Sequence, residues 1–394
     1  MYISKAGQVE SVPIYTYFDI GSSNFAIQRV IALRDGIFFL KPDGIFRLSG
    51  ESFSSFTVTL VDSTTALQVP ESAVAFNNQV FCFADQGICA ITDSGVEILS
   101  VPIENTLLEL ASSQYTNFQS ASFGVAYESS RQYMFFTVTH ETDVIANQAF
   151  VYNSLTKSWT RWVMSRTCGI VDLGSNKLHM AETDTGQIMR ERKSFTTSDY
   201  ADKQYAVVIS SIDSSTTMTL SSITNVSVGM TIVQGGGIAL ITAIAGTVIT
   251  VGNTTSFTAA PGDAFVYQPI LNTITWAPID CENPGILKQF SEVSFFFRNA
   301  AFTSIDAIFQ SNILVEEATV TVTNNSQEGW GEFGWGLVPW GGVLGGQAVL
   351  RTYVPRNQQR CSWLTISLST EESFTGFSLQ GLSLVFSPMT SRIK

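Results

Sequence analysis

The chain has 394 residues, of which 45% are hydrophobic and only 14% are charged, against about a quarter charged in a typical soluble domain. Asp and Glu (33) outnumber Lys and Arg (21), so the formal net charge is −12. This composition excludes a disordered chain, and the acidic balance argues against a protein that grips nucleic-acid phosphates along its length. We expect so apolar a chain to bury part of its surface in an assembly.

The first hundred residues contain the same hairpin pattern twice. "VIALRDGIFFLKPDGIFRLSG" (30–50) and "VAFNNQVFCFADQGICAITDSG" (74–95) each read as strand, short turn, strand, glycine turn and strand. A shift of 43 positions superposes strand residues and turn glycines, namely Val80 on Ile37, Cys82 on Phe39, Phe83 on Leu40 and Gly87 on Gly44. We therefore predict one small antiparallel sheet in each copy. The segment that follows, "ENTLLELASSQ" (104–114), is predicted as a short helix.

Two looser copies of the pattern come next. The first runs from "SASFGVAYESSRQYMFFTV" (120–138) through "AFVYNSLTKSWTRW" (149–162), with His140 and Asp143 in a polar loop between its second and third strands. The second is "GIVDLGSNKLHMAETDTGQIMRERK" (169–193). A hairpin pattern that recurs in this way indicates a repeat architecture.

Large aromatic residues flank the turn of the "AFVYNSLTKSWTRW" hairpin. Tyr152 ends the third predicted strand, residues 156–158 turn the chain, and Trp159 and Trp162 begin the outer strand. Two interpretations are open: the tryptophans pack into the groove against the next sheet, or they form a ligand-stacking surface.

A period of 40 to 50 residues with about four strands in each unit is typical of a β-propeller. Each sheet is too thin to bury both of its faces alone, and packing sheets around an axis buries them. We predict an all-β fold of propeller-like blades, each a four-stranded antiparallel sheet, with an inserted small β-barrel domain. The predicted domains are blades at 1–198, the barrel at 199–268, further blades at 269–327, and a Trp/Gly docking loop with a C-terminal β-sheet at 328–394.

The barrel is predicted from a change in composition. Within 199–268 Trp is absent, Phe becomes rare, and Ser, Thr, Val, Ile and Gly form five or six short strands with tight turns. The longest apolar tract, 237–252, reads as two strands around Ala245-Gly246, so no membrane-spanning segment is predicted. A domain is tolerated at a hairpin tip because its two ends lie close together, and "TITWAPID" (273–280) is then the outer strand of the interrupted blade.

A Trp/Gly loop and an arginine turn distinguish the last part of the chain, and their prominent residues are Trp330, Trp335, Trp340, Arg351, Arg356 and Arg360. The loop, "EGWGEFGWGLVPWGG" (328–342), is either a docking loop or a cap that packs on itself. "AVLRTYVPRNQQRCSWLTISLS" (348–369) reads as two strands around the basic turn, whose arginines either meet an acidic patch on a partner or pair within the sheet. "FTGFSLQGLSLVFS" (374–387) is predicted to supply the closing strand pair.

No catalytic, cofactor-binding or metal site is predicted. The two histidines, His140 and His179, lie in different repeats without a partner at metal-ligand spacing. The sequence contains no nucleophile elbow, phosphate loop, zinc-protease motif or dinucleotide fingerprint. Carboxylate pairs at 316–317 and 371–372 are expected to be solvated loop acids, and the five scattered cysteines are expected to be buried reduced thiols.

Several phrases of the chain resemble the tail nozzle (tail tubular) proteins of short-tailed bacteriophages. They are "GIFRLSG", "QGICAITDSGVEILSVPIE", "VYNSLTKSWTRW", "ENPGILKQFSEVSFFFRNA" and the ending "RTYVPRNQQRCSWLTISLS" with "FSLQGLSLVF". The resemblance covers most of the chain and implies a structural virion protein that is made in the host bacterial cytoplasm. It implies a ring, usually a hexamer, below the portal and adaptor and beside other tail proteins. Viral DNA would pass through the lumen without sequence-specific binding, along a non-sticking acidic wall.

On this interpretation, the Trp/Gly loop and the arginine turn are expected to form the assembly interface. The alternative is a host-surface or glycan-binding propeller protein at the tail tip, with the barrel at 199–268 as the binding module. A polysaccharide depolymerase is a third hypothesis, and it requires two carboxyl groups held close together.

Overall fold

The structure is a computed structural model, and it describes the chain except for residues 1, 5–6, 9, 53–54, 184–185, 192–203, 260–263, 299–301, 303, 315, 324–346, 374–377 and 393–394. The chain divides into two compact units, Met1–Arg192 (unit 1) and Lys193–Lys394 (unit 2). Each unit has its own hydrophobic cores. No helix in the described part of the chain is both long and apolar enough to cross a membrane.

Unit 1 contains, in chain order, the strands β1 (Arg29–Leu33), β2 (Gly36–Lys41), β3 (Gly44–Ser49), β4 (Thr57–Asp62), β5 (Leu67–Phe76), β6 (Gln79–Ala84), β7 (Gly87–Thr92), β8 (Gly95–Ile98), β9 (Phe123–Tyr127), β10 (Gln132–Thr137), β11 (Ala146–Asn153), β12 (Ser158–Arg166), β13 (Cys168–Asp172), β14 (Lys177–Ala181) and β15 (Ile188–Arg190). The described strands form a first sheet (β1–β4), a second (β5–β8), a third (β9–β12) and a fourth (β13–β15). Each strand pairs antiparallel with the next one in its sheet. Helices α1 (Glu104–Leu110) and α2 (Phe118–Ala121) lie between the second and third sheets in the chain, α1 within the predicted helical segment. The predicted all-β fold with four-stranded antiparallel sheets is confirmed.

The internal repeat is confirmed residue by residue. Strands β2 and β3 are followed by β6 and β7 at an offset of 43 positions, with the same lengths and the same glycine at the start of the second strand. Equivalent side chains also share a direction, since Phe38 and Phe81 both face the sheet that comes next in the chain. In each copy, successive side chains along a strand point to opposite faces of the sheet, and both faces are buried.

Neighbouring sheets of unit 1 pack face to face in chain order. Along β6, Val80 and Cys82 face the first sheet, whereas Phe81 and Phe83 face the third. Phe83 stacks on Phe135 of β10, with ring centroids 5.1 Å apart. A sheet that is buried on both sides by its chain neighbours cannot be stable by itself, so the sheets depend on each other for their cores.

The first strands of successive sheets contact each other, in the order β1, β5, β9 and β13. Gly124 of β9 lies so close to β5 that an added Cβ would come within 2.3 Å of the carbonyl oxygen of Ser72. Sheets that stack in series and meet through their first strands have the arrangement of propeller blades.

The tryptophans of the aromatic hairpin point in opposite directions. Trp159 packs toward the second sheet with its ring centroid 5.0 Å from that of Tyr152, whereas Trp162 packs toward the fourth. Of the two interpretations left open by the sequence, packing against the next sheet holds for Trp162 only. Residues three positions apart in a strand lie on opposite faces, because side chains alternate with a period of two.

Unit 2 contains, in chain order, the strands β16 (Gln204–Val207), β17 (Ile209–Ile212), β18 (Thr217–Leu220), β19 (Thr231–Gln234), β20 (Gly237–Ala245), β21 (Val248–Val251), β22 (Ala264–Tyr267), β23 (Ile270–Thr275), β24 (Ile286–Arg298), β25 (Ser304–Ser311), β26 (Ala318–Thr323), β27 (Gln347–Tyr353), β28 (Arg360–Cys361), β29 (Leu364–Glu372) and β30 (Ser378–Arg392). Strands β16–β22 form one sheet in the order β16-β22-β19-β20-β21-β18-β17. Its two end strands, β16 and β17, are consecutive in the chain and joined through Val208 alone, and the sheet packs around a core of its own in the region predicted to be a small barrel. The predicted strand pair at 237–252 is present as β20 and β21.

The remaining strands of unit 2 form two sheets around one core. One sheet has the order β23-β29-β25-β26. In the other, β24 lies between β30 on one side and β27 with β28 on the other. The two sheets pack as a β-sandwich, and their shared core includes Phe290, Phe295 and Phe309.

Several strand partners in this region differ from the prediction. Strand β23, predicted as the outer strand of a blade interrupted by the barrel, pairs instead with β29. Strands from 269–327 and 328–394 pair with one another in both sheets, and the described part of the predicted closing strand pair, 378–387, lies in the single strand β30. Residues 348–369 do not form a hairpin, because β27 and β29 belong to different sheets. Alternation in a sequence shows which face of a strand is apolar, but it does not identify a partner that is about 90 residues away.

Candidate functional site

The three tryptophans predicted to dock, Trp330, Trp335 and Trp340, lie outside the described residues. The three arginines are described, and all of them are exposed. Arg351 lies on β27, Arg356 lies in the turn after it, and Arg360 begins β28.

Arg351 forms a contact with a charged group on the neighbouring strand. Its Nε lies 4.0 Å from Oε1 of Glu292 on β24, at the limit of an ion pair. Because Arg351 is well exposed, water screens this contact and it contributes little to stability. Pairing within the sheet, one of the two predicted roles, is therefore present but weak, and the guanidinium can still contact a partner.

Apolar side chains surround this ion pair on the outward surface of the same sheet. The β24 outer face, as we name it, consists of Phe296 on β24, Val349 and Tyr353 on β27, and Val385 on β30. Phe296 is the direct cross-strand partner of Val349, and Glu292 is the partner of both Tyr353 and Val385. Each of the four apolar side chains is at least 40% exposed.

The β24 outer face therefore holds two groups of exposed apolar side chains, Phe296 with Val349 and Tyr353 with Val385, and a polar row that includes Arg351 lies between them. Single exposed apolar residues are ordinary on a protein surface, whereas a cluster of them around a polar centre is typical of an interaction site. The inward neighbours on β24, Val293, Phe295 and Phe297, are fully buried in the sandwich core. Both faces of this sheet are thus apolar, but only one is covered by the described residues of the unit.

Unit 1 carries a second candidate, a polar cleft between the first and second sheets. The cleft has a volume of about 310 Å³, and Leu33 and Phe38 are its apolar lining residues. Its polar lining residues come from three turns and the strands beside them, and they are Asp35, Asn77, Asn78, Gln79, Thr92, Asp93 and Ser94. These groups can hydrogen-bond to a small hydroxylated or polar ligand.

Arg47 braces one wall of the cleft. Its Nη2 lies 3.0 Å from Oδ2 of Asp93 and also donates a 3.0 Å hydrogen bond to the carbonyl oxygen of Asp35. Asn77 and Asn78 both have positive φ, which asparagine tolerates better than most residues, and the Asn78 side chain accepts a hydrogen bond from the backbone of Arg34. The sequence analysis missed this cleft because its residues lie in turns some 40 positions apart.

Two fully buried lysines hold loops in place. In unit 1, Nζ of Lys41 donates to the carbonyl oxygens of Ile20 (2.6 Å) and Ser22 (2.7 Å), and it lies 3.4 Å from Oδ1 of Asp43. In unit 2, Nζ of Lys288 donates to the carbonyl oxygens of Ser362, Ile286 and Asn283. Each ammonium group is surrounded by acceptors, so both lysines act as structural anchors.

The aspartates with lowered pKa values cap backbone turns. Burial acts to raise the pKa of Asp143, but hydrogen bonds from the backbone N–H groups of His140 and Thr139 outweigh it and lower that pKa. For Asp43, burial likewise acts to raise the pKa, and contacts with Ser22 N–H and Lys41 lower it overall. These carboxylates stabilise local backbone, which is a structural role.

Other titratable groups of the sequence analysis also have structural surroundings. Among the described residues, no three His, Cys, Asp or Glu side chains lie close enough to hold a metal ion. Of the carboxylate pair at 371–372, Glu372 is partly buried and accepts a 3.0 Å hydrogen bond from the backbone N–H of Ser304, so it is not a solvated loop acid.

The cysteines are reduced, but only three of the five are buried. Cys82, Cys89 and Cys361 lie in the cores, Cys281 is half-buried, and Cys168 is exposed. Burial raises the pKa of Cys361 to about 11, against a smaller lowering by Lys288. The prediction of buried thiols is therefore wrong for Cys168, whose strand β13 belongs to a sheet with one exposed face.

Comparisons with known proteins yield no family assignment. No protein-family model matches the chain, and no curated protein matches it. Among solved structures, the extracellular domain of a hybrid two-component system from B. thetaiotaomicron is similar with a TM-score of 0.28 and 12% identity, over 71% of this chain and 31% of that one. An exo-β-1,3-galactanase from Phanerochaete chrysosporium has a TM-score of 0.23 and 10% identity, over 89% and 78%.

A Bombyx mori GH32 β-fructofuranosidase has a TM-score of 0.19 and 8% identity, over 92% of each chain. Of the B. thetaiotaomicron two-component-system domain, by contrast, the chain covers only about a third of the length. All three TM-scores lie below 0.5, so these similarities carry no argument about fold or activity. The fold described above rests on the strand pairing and the cores of the chain itself.

Proposed function

We propose that the chain is a structural virion protein, a subunit of the tail nozzle ring that extends the DNA ejection channel of a short-tailed bacteriophage. The proposed role is non-enzymatic, and the partners are further copies of the chain, the adaptor or portal, and other tail proteins. The observation that carries the proposal is the β24 outer face, on which four exposed apolar side chains surround the Glu292–Arg351 contact. A surface of this kind is suited to burial against another subunit.

Three further observations support an assembly role. The resemblance to nozzle proteins includes the segments that form β24 and β27, which carry most of the β24 outer face. One of the predicted interface residues, Arg351, lies on this face. The net charge of −12 suits a wall along which DNA slides, because an acidic surface repels the phosphate backbone.

The proposal is tested by the assembly state of the purified full chain. Native mass spectrometry across protein concentration, with electron microscopy along the symmetry axis, should show a closed ring with an open centre. A second test is incorporation into phage particles, where chains with Phe296→Ser are expected to be depleted relative to wild type. A chain that stays monomeric at high concentration, and is absent from particles, would refute the proposed function.

The second candidate function, binding of a host-surface glycan, is favoured by the polar cleft of unit 1. Residues with amide, carboxylate and hydroxyl groups line this cleft together with Phe38, and such groups recognise sugar hydroxyls. A glycan array probed with the full chain and with Asp93→Ala separates the two functions. Binding that the substitution abolishes would support glycan recognition, and it is not expected of a nozzle subunit.

A further inference from the structure

The sheet that carries the β24 outer face has two edges without a described partner strand. Strand β30 pairs with β24 along one side only, and β27 pairs with β24 on the opposite side. Backbone N–H and C=O groups along such an edge are a template for another strand. The described part of unit 2 thus presents two open edges on one sheet.

The β30 edge has little of the protection that soluble proteins give to edge strands. It is 15 residues long, whereas the edge strands of the other sheet, β23 and β26, have six residues each. Shortness and charge are the usual defences against unwanted pairing. Strand β30 has neither over most of its length, since it contains no charged residue from Ser378 to Ser391. Its other defences are Pro388 and three register shifts in its pairing with β24, so the segment before Pro388 is the part of the edge best suited to pairing.

The two open edges are complementary by translation. Strands β27 and β30 both run antiparallel to β24, so they run parallel to each other. If a second copy is placed next to the β30 edge in the same orientation, its β27 lies beside β30 of the first copy. These two strands then pair in parallel. Contacts between different surfaces of two copies are heterologous, and such contacts generate rings when the rotation closes.

We infer that subunits join by pairing β30 of one copy with β27 of the next, so that this sheet continues from subunit to subunit. The inference deepens the proposed function, on which it rests, by naming the interface and its partner strand. The alternative, β30 against β30, would leave the β27 edge with Val349 and Tyr353 uncovered. The heterologous arrangement covers both edges and extends the β24 outer face across the junction.

Charge at the junction provides the test. Val385 on β30 and Arg351 on β27 project from the outward surface of the sheet near the two edges, and both are exposed. With both copies in the same register, the lysine of Val385→Lys would lie beside Tyr353 of the neighbouring copy and diagonally across from its Arg351. Long side chains still reach each other on this diagonal, and like charges there destabilise the strand pair by at most about 1 kcal/mol, which corresponds to a contact that is weaker by severalfold at most.

The experiment compares assembly of the full chain and its variants by native mass spectrometry and sedimentation. Val385→Lys is expected to raise the concentration needed for assembly several-fold, and adding Arg351→Glu to the same chain is expected to restore it. Leu271→Lys is the matched control, because Leu271 is an exposed apolar residue on β23, an edge strand of the other sheet. It should assemble like wild type.

Three outcomes would overturn the inference. If Val385→Lys assembles like wild type, the subunits are joined through a different interface. Rescue only on mixing the V385K chain with a V385E chain would show pairing of β30 with itself. A defect from Leu271→Lys as large as that from Val385→Lys would show a general effect of added charge. Conversely, a charge-rescued contact that builds open filaments and no ring would support the edge pairing and refute the nozzle ring.

Discussion

Nε1 of Trp159 donates a 3.0 Å hydrogen bond to the carbonyl oxygen of Leu99, which ties the outer strand of the third sheet to the segment that leaves the second. The two residues are 60 positions apart in the chain. The indole also packs on Tyr152 within the core that these sheets share. One side chain thus contributes both apolar burial and a directional contact between two blades.

Replacing Trp159 by Phe should lower the free energy of unfolding by about 1 kcal/mol, because the ring is kept and one hydrogen bond is lost. Trp159→Ala removes the packing as well and should cost clearly more. Chemical denaturation followed by circular dichroism measures both. Val163→Ala, at an exposed site on the same strand, is the control and should stay within about 0.5 kcal/mol of wild type. Equal stability of Trp159→Phe and wild type would show that the hydrogen bond is dispensable.

Gly124→Ala is expected to destabilise unit 1 by about 1–3 kcal/mol, because the new Cβ would overlap the Ser72 carbonyl oxygen and push β9 away from β5. Gly174→Ala is the matched control, since the nearest atoms to its Cβ would be 3.7 Å away. The difference in thermal midpoint between the two variants measures the effect. Two equal midpoints would mean that the first strands are not in close contact.

Lys41→Met should destabilise unit 1 by about 1–3 kcal/mol, because the substitution removes the donor to the buried carbonyl oxygen of Ile20 and to the carbonyl oxygen of Ser22. Lys157→Met, in an exposed turn, removes the same charge without these partners. Hydrogen exchange should show faster opening around residues 20–22 in the first variant only. A Lys41→Met chain as stable as Lys157→Met would argue against the anchoring role.

Lowering the pH should reduce the free energy of unfolding of unit 1, because carboxylates that cap its turns become protonated. The folded pKa of Asp143 lies below its ordinary value of 3.8, so the unfolded chain takes up a proton more readily at this site. The stability that Asp143 contributes is therefore present above about pH 4 and is lost as the pH falls through the lowered folded value. Asp143→Asn should be less stable than wild type at pH 7, and the gap should narrow toward pH 3. A gap that stays constant with pH would exclude this carboxylate as the cause.

The repeat in unit 1 could be predicted from the sequence because each blade is local. Strands β2, β3, β6 and β7 pair with chain neighbours across short turns, so the alternation of apolar residues and the position of Gly44 and Gly87 were enough to place them. The same local pattern predicted the β20–β21 pair of the barrel. The directions of Trp159 and Trp162 were also implied by their spacing of three, although the packing interpretation assigned both to one side.

The sandwich of unit 2 could not be predicted in this way, because its strands have distant partners. Strand β23 pairs with β29 and β24 pairs with β30, in each case about 90 residues further along the chain. The β24 outer face was missed for the same reason, since Phe296, Val349 and Val385 come from three separate segments. Arg351 was selected from its charge alone, and its place on this face follows from the register of β27 with β24.

By itself, the sequence determined that the chain is all-β, that a hairpin pattern recurs in its first half with an offset of 43 residues between the first two copies, and that its composition is too apolar for an ordinary surface. Tertiary structure alone decided which strands share a sheet, which apolar face is left uncovered, and which turns converge on the polar cleft. The physical reason is that side-chain alternation and turn residues act over a few positions, whereas sheet partners in a sandwich are selected by burial of the whole core.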